Sequence, residues 1–315
     1  MAMHLAEHEP MQVRAALRRP SASLQHAGLV VELGDLTDAD YCARLVDGAD
    51  IIVHCAAMSR PYGPYTAFHA ANVVATQRLL DAANAAGVRR VVNIGTPSIY
   101  ATGRDRYDVS EAEPLPERMI NHYAATKRDA EQIVLRANGR SAETISLRPR
   151  AIIGGGDTVI MPRLLAAQAA GRLRVIGGGT NVADLTTVRN VIEAVLCAMR
   201  APASACGRAY NITNGEPVDL WKTIGVTMSM LGRTPPSRRI PKGVALAAAA
   251  LSELLHHVLR RPGEPSLTRH GVQVLATAVT LDITAARDML GYVPVQNTLD
   301  GITEFCEWYR TCSTS

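Results

Sequence analysis

Short apolar runs that end in small-residue turns recur along this chain with helical stretches between them, and that alternation limits the fold more than any other feature. Asp50-Ile-Ile-Val-His-Cys-Ala-Ala57 reads as a strand entering a turn of small residues. Arg90 to Ile94 repeats the pattern and runs into Gly95-Thr96-Pro97-Ser98-Ile99-Tyr100; Thr144 to Leu147 repeats it before Arg148-Pro149. Between them, Asp38 to Val46, Ala70 to Ala86 (stopped by Gly87) and Asn121 to Gly139 read as helices. Near the start, Met1 to His8 reads as the tail of a helix, and Gln12 to Leu17 and Leu29 to Leu33 as two further strands. Strand and helix at this spacing form βαβ units, so the sheet is expected to be parallel and covered by helices.

After Gly154-Gly155-Gly156-Asp157 the regularity falls. Helices are expected near Pro162 to Ala170, Asn190 to Met199, Leu246 to Leu259 and Leu299 to Tyr309, with a strand at Ala209 to Ile212 and a loop holding Pro262 and Pro265. The expected architecture is α/β: a Rossmann-like, doubly wound parallel sheet over residues 1–150, then a smaller, mostly helical lobe over 151–315 that holds substrate and returns some strands to the sheet. A chain of 315 residues, 47% hydrophobic and 20% charged, suffices for such a core. Its net charge of +4 comes almost wholly from arginine, since only Lys127, Lys222 and Lys242 are lysines, and without clustering it is no nucleic-acid footprint. Six cysteines lie far apart with no C-x-x-C, which implies reduced thiols and a cytoplasmic protein. No apolar segment follows a basic one at the N-terminus, so no secretory signal is read. Val244 to Leu259 comes nearest to a membrane segment, but Glu253, His256 and His257 interrupt it, and a core helix is favoured over a membrane-contacting one. The pairs His4/His8 and His256/His257 lack cysteine or carboxylate partners at ligand spacing, so no metal is expected.

The chemistry concentrates in Asn121 to Gly139. Asn121 is a candidate N-cap and Gly139 a candidate C′ residue, while Ala124, Ala130, Ile133, Val134 and Ala137 give the helix an apolar side. Tyr123 and Lys127, at i and i+4, lie on one face. A phenol titrates near pH ~10, and a nearby cation favours its ionised form, so Lys127 is expected to move Tyr123 towards a useful general acid/base. The pair alone is weak; the rest of the chain decides it.

Ordered motifs supply that support. G-D-L-T-D (34–38), V-H-C-A-A (53–57), N-V-V-A-T-Q-R-L-L-D-A-A (72–83), G-T-P-S-I-Y (95–100), Y-A-A-T-K (123–127) and L-R-P-R-A-I-I-G-G-G-D (147–157) together resemble the extended short-chain dehydrogenase/reductase superfamily. M-P-R-L-L (161–165), Y-N-I-T-N-G-E-P-V (210–218) and L-G-Y-V-P (290–294) narrow the resemblance to its 3β-hydroxysteroid dehydrogenase-like branch, which includes bacterial 2-alkyl-3-oxoalkanoate reductases. The resemblance implies an NAD- or NADP-dependent oxidoreductase acting on a secondary alcohol or ketone of a bulky apolar small molecule, 3β-hydroxysteroid or 3-oxoalkanoate in type. A homodimer is compatible with it. Nucleotide-sugar epimerase or dehydratase is the alternative enzyme class.

Residue by residue, the resemblance makes Tyr123 the acid/base and Lys127 the holder of the nicotinamide ribose. Thr96 aligns with the hydroxyl that hydrogen-bonds the reacting oxygen, or else caps a strand-end turn. Asn72 orients the proton relay or caps its helix. Asp35 and Leu36 match the pair beside the adenine, Ala56 and Ala57 the small residues that admit the cofactor backbone, and Pro149 the turn near the nicotinamide. Arg18 is placed to face a 2′-phosphate, which tilts the expectation towards NADP, unless it is an ordinary solvated arginine. His54 reads as a packed strand-end residue.

One departure is large. The superfamily's first strand and its G-x-x-G-x-x-G turn, which receives the pyrophosphate, are absent, because Met1 aligns inside the helix that follows them. The resemblance therefore implies a sheet without one of its central strands and with two unpaired edges, and either a late start or a cofactor-less remnant. Two smaller departures are Gly95, where serine is common, and Arg189, where an acid or glycine is frequent.

Overall fold

The computed structural model describes residues 1–60, 62–140, 142–259 and 263–313; Pro262, in the expected loop, lies outside them. In order, the first half consists of α1 (Ala2–His8), β1 (Arg14–Leu17), α2 (Ala22–His26), β2 (Val30–Leu33), α3 (Ala39–Val46), β3 (Ile51–His54), α4 (Tyr65–Phe68), α5 (Ala75–Ala85), β4 (Arg90–Ile94), β5 (Arg106–Val109), α6 (His122–Ala137) and β6 (Glu143–Pro149). The strand Arg208–Ile212 joins β6, β4 and β3, in that order, as one parallel sheet.

Both faces of this sheet are covered, which is why its strands read as continuous apolar runs. Successive residues of β4 point to opposite layers. Val91 packs with Val46, Leu79, Leu80 and Val134 from α3, α5 and α6. Val92 packs with Ile145, Ile192, Val195, Tyr210 and Tyr292 on the other side, where the helix Val188–Arg200 lies.

β1 and β2 form a separate parallel pair. Among the described residues β1 bonds only to β2 and β3 only to β4, so no hydrogen-bonded ladder joins the two groups. The pair is fastened through α3 instead. Arg14 Nη1 donates to Leu45 O at 2.9 Å and Asp47 O at 3.2 Å, and the Tyr41 hydroxyl donates to Glu32 O at 3.0 Å.

A second core joins the helices Ile160–Ala169, Leu220–Met230, Arg269–Ala276 and Thr298–Ser313 through Leu165, Trp221, Ile224, Met228, Val272 and Phe305. Two expectations need correction. The helix Lys242–Val258 reaches the second core through Ala245, Ala249 and the partly buried Leu246, and also buries His256, but Val244, Leu251, Leu254, Leu255 and Val258 face outward, so only one side of it is a core face. Ala245 and Ala249 are buried on the inward side of this helix, which packs on Arg269–Ala276, and most of the larger side chains are left outside. Among the described residues no helix is long and apolar enough to cross a membrane. The segment expected as one regular helix from Ala70 begins instead with a π turn, His69–Val74, that runs between α4 and α5. Hydrophobic periodicity does not register one extra residue per turn; its effect is to aim Asn72 inward.

Candidate active site

β3, β4 and β6 all end at the same edge of the sheet, where parallel α/β sheets hold ligands, and α6 is pinned there. Asn121 Oδ1 accepts from Ala124 N at 2.8 Å, which fixes the first turn. At the other end Gly139 takes φ +73°, the left-handed conformation a C′ residue needs. The buried positions Ala124, Lys127, Ala130, Glu131 and Val134 follow helical spacing, so Lys127 is carried into the protein on the apolar face of its own helix.

Lys127 is 4% exposed, and its ammonium donates to Ile94 O at 2.7 Å. Burial pushes its pKa down to about 8, against the pull of Glu131 one turn on. An ammonium has three donors, and one is used on Ile94. Tyr123 is half-buried; burial raises its pKa, and the neighbouring Thr96 hydroxyl draws it back. The expected depression of the phenol by Lys127 is therefore not what governs it: the ammonium is turned onto a carbonyl, and loss of solvent dominates. Thr96 caps its turn, one of the two roles weighed for it, and its hydroxyl also neighbours Tyr123. Its Oγ1 accepts from Ser98 N at 3.2 Å, capping the turn Pro97–Tyr100, and also donates to Ser98 Oγ at 3.1 Å, beside the phenol.

Behind this face a buried network holds α6 to the sheet. Glu131 Oε1 receives Arg148 Nη2 at 2.6 Å, Glu131 Oε2 receives Ser146 Oγ at 2.8 Å, and Asn93 Nδ2 donates to Ser146 Oγ at 2.9 Å. Arg148 also reaches the Tyr100 hydroxyl, which donates to Asn211 Oδ1 at 3.0 Å. The network explains Gly95. A Cβ there would lie 2.7 Å from Glu131 Oε2, 3.0 Å from Ser146 Oγ and 3.1 Å from the backbone oxygen of Leu147. None of these can retreat freely, because Glu131 is held by Arg148. Gly95→Ser is expected to cost about 1–3 kcal/mol, the usual price of overpacking a filled core; urea unfolding that shows no loss of stability would overturn this account.

Asn72 is 1% exposed and is not a helix cap. Its Oδ1 accepts from Met58 N at 2.7 Å, and its Nδ2 donates to Met58 O at 3.3 Å and Thr126 Oγ1 at 3.0 Å, tying the loop after β3 to α6. Ala56 and Ala57 lie in that same loop, and Pro149 is buried at the end of β6. His54 is a packed strand-end residue: its Nε2 meets Thr76 Oγ1 at 2.8 Å, and burial, with Lys127 nearby, lowers its pKa to about 3.

Arg18, Asp35 and Leu36 stand apart from this cluster, beyond the break in the sheet. Asp35 Oδ1 accepts from the Thr37 N–H and hydroxyl, both at 2.8 Å, which holds its carboxyl below the usual range; the charge of Arg18 adds to the effect. Arg18 is exposed. Arg189 pairs with Glu304 at 3.0 Å on the surface. Three residues near the site were not singled out from the sequence. Ser98 and Arg150 sit inside motifs already quoted, G-T-P-S-I-Y and L-R-P-R, while His270 carried no local signal.

A tyrosine, a lysine and a strand-end threonine meeting at the carboxyl edge of such a sheet place the chain among the short-chain dehydrogenases/reductases. More narrowly, it belongs to the NAD dependent epimerase/dehydratase family, which it matches over residues 2–213. It is 36% identical over 296 residues to the 2-alkyl-3-oxoalkanoate reductase of Stenotrophomonas maltophilia, covering 92% of this chain and 90% of that protein. It is also 36% identical over 280 residues to 3beta-hydroxysteroid-dehydrogenase/decarboxylase isoform 2 of Arabidopsis thaliana, covering 85% of this chain but only 50% of the relative's length. The UDP-glucuronic acid 4-epimerase of Bacillus cereus, solved with NAD, superposes with a TM-score of 0.76 at 17% identity, covering 98% of this chain and 94% of that one. At that identity the likeness is one of fold.

Proposed function

We propose that the chain is an NAD(P)-dependent oxidoreductase that interconverts a secondary alcohol and a ketone on a bulky apolar molecule of the 3β-hydroxysteroid or 3-oxoalkanoate type. The observation that carries this reading is Lys127, buried on the same helical face as Tyr123 and next to Thr96. The residues suit a dinucleotide at both ends. Lys127 keeps two donors for ribose hydroxyls, Pro149 lies at the nicotinamide end, and Asp35, Leu36, Ala56 and Ala57 offer an acceptor and small side chains for the adenosine half.

When bound, the nicotinamide supplies or takes the hydride. Tyr123 gives its proton to the carbonyl oxygen in reduction, or takes it back in oxidation, while Thr96 donates to the same oxygen. A phenol whose pKa is raised holds its proton at neutral pH, so it is ready to serve as the acid of the reducing step. Asn72 acts as a positioning residue through Met58 and Thr126. The second lobe, over residues 151–315, is assigned to the apolar part of the substrate.

Spectrophotometric turnover with a 3β-hydroxysteroid and with a 3-hydroxy acid tests the reading. Turnover of neither, with a UDP-sugar consumed instead, would refute it. The cofactor choice has its own test. Arg18 is exposed at the carboxyl end of β1 beside Asp35, so NADPH is expected to bind more tightly than NADH, with Arg18→Ala removing about tenfold of the difference, the worth of one charge-assisted hydrogen bond. Equal dissociation constants for both cofactors, unchanged by Arg18→Ala, would exclude NADP selectivity through this residue.

A further inference from the structure

The outward side of the helix Lys242–Val258 has no part in the chemistry described so far. Its buried positions, Ala245, Ala249 and His256, share one face. Val244, Ala247, Leu251, Leu254 and Val258 are exposed and follow one another at alternating steps of three and four, so they line up as one seam turned away from that face. Leu255 and Leu259 widen it, and the six valines and leucines of the strip are each 49–65% exposed. A contiguous apolar surface of this kind on a folded chain marks a place where something docks.

Charge says what docks there. From Arg238 to Arg261 the sequence holds five arginines and lysines against one acid, Glu253, and that acid is taken: its Oε2 accepts from Arg269 Nε at 2.7 Å. The basic residues stand at the two ends of the seam. Arg238 and Arg239 are exposed just before the helix, and the sequence runs from Leu259 straight into Arg260-Arg261. Steps of three and four would also fit a second copy packed as a coiled coil. In either orientation, however, such a pair sets basic end against basic end, and the flanking positions Gly243, Ala248, Ala250, Leu255 and His257 hold no acid to offset them. An anionic bilayer meets the same pattern without conflict, because lipid headgroups pair with the arginines while the seam sinks among the acyl chains.

We propose that this helix is a peripheral membrane anchor that lies flat on an anionic lipid surface, with Leu251 and Leu254 at the centre of the inserted strip. It is tied at both ends to the surroundings of the candidate active site. Lys242 Nζ donates to Gly103 O at 3.2 Å, just beyond the turn Pro97–Tyr100. The His256 ring meets the Tyr62 ring edge-on at 5.5 Å, and Gly63 O accepts from His122 Nδ1 at 3.1 Å, next to Tyr123. The site is thus fastened to the element that docks, and a bulky apolar substrate dissolves in the same lipid. That link rests on the reaction proposed above; the docking does not.

Flotation of the full chain with lipid vesicles is the test. The parent is expected to bind phosphatidylglycerol vesicles about 10–100-fold more tightly than phosphatidylcholine vesicles, and to lose most of that preference at ~1 M salt, where the screening length falls to about 3 Å. Leu251→Ser/Leu254→Ser, at exposed positions, should weaken binding by about 10–100-fold, and Arg238→Ala/Arg239→Ala by about 10–30-fold. Val293→Ser/Val295→Ser, equally exposed but on a loop outside the helix, should bind as the parent does. A parent that floats with neither vesicle overturns the proposal, and so does equal binding to both. Binding that the arginine variant weakens and the leucine variant does not would be loose electrostatic adsorption, which overturns it as well. Sedimentation velocity reads the remaining outcome: a dimer in solution that Leu251→Ser/Leu254→Ser dissociates would put a second copy on the seam in place of lipid. None of these measurements uses turnover, so a negative result here leaves the oxidoreductase reading intact.

Discussion

Tyr123→Phe lowers kcat by about 10²–10⁴-fold, the range for losing a positioned general acid/base, and leaves cofactor affinity nearly unchanged. The substitution keeps the ring, which is half-buried on α6, and removes only the hydroxyl that Thr96 addresses. Lys127 still donates to Ile94 O from the same helical face, so the part of the site assigned to ribose is untouched. Steady-state rates over a pH series, with cofactor binding measured separately, distinguish lost chemistry from lost binding. A variant that turned over at the parent rate would show that another group moves the proton, whatever became of the fold.

Lys127→Met is expected to abolish most turnover while making the protein more stable at neutral pH. In the folded chain burial pushes the ammonium pKa down to about 8, from the ordinary lysine value of about 10.5. Below pH 8 both states hold the proton and folding bears the whole net penalty of the charged form, on the order of 3 kcal/mol at about 1.36 kcal/mol per unit. Between pH 8 and about 10.5 the unfolded chain binds more protons than the folded one, so the parent's stability rises with pH across that window. Methionine has no such dependence and loses the bond to Ile94, worth about 1 kcal/mol. The variant should therefore lead by about 1–2 kcal/mol at pH 7, lose that lead through the window and fall behind above it. Urea unfolding at several pH values reads the difference; a lead that stayed constant from pH 7 to 10 would mean that Lys127 is not the titrating group. A residue that weakens the fold at working pH and is kept for its chemistry is the usual trade at an active site.

The parts that were legible in the sequence are those that local rules determine. α6 could be read to its ends because Asn121 caps it and Gly139 stops it, and the strands that became β3, β4 and β6 because both of their faces are buried. What could not be read depends on distant partners. β5 pairs with Val279–Leu281, more than 150 residues later, and neither has the length to announce itself. Glu131 and Arg148 look like two ordinary charges until folding joins them, and only then does Gly95 become a requirement and not a departure. The helix Lys242–Val258 misled for a related reason: hydropathy counts leucines, but packing chose the alanines. His270 meets Arg150 solely through tertiary structure.

The divided sheet has one more consequence. Among the described residues the hydrogen-bonded ladder does not run from β1 to β3, so β1–β2 is joined to β3, β4 and β6 by side chains and by α3 alone. Arg18 and Asp35 lie beside β1–β2, whereas Tyr123, Lys127 and Pro149 lie with β4 and β6. The spacing between the two halves of the proposed dinucleotide site is thus set by how α3 seats β1 and β2, through Arg14 and Tyr41, and not by a continuous backbone ladder. Any ligand held at both ends therefore bridges two groups of strands that side-chain packing holds in place, and its own contacts add to that fastening.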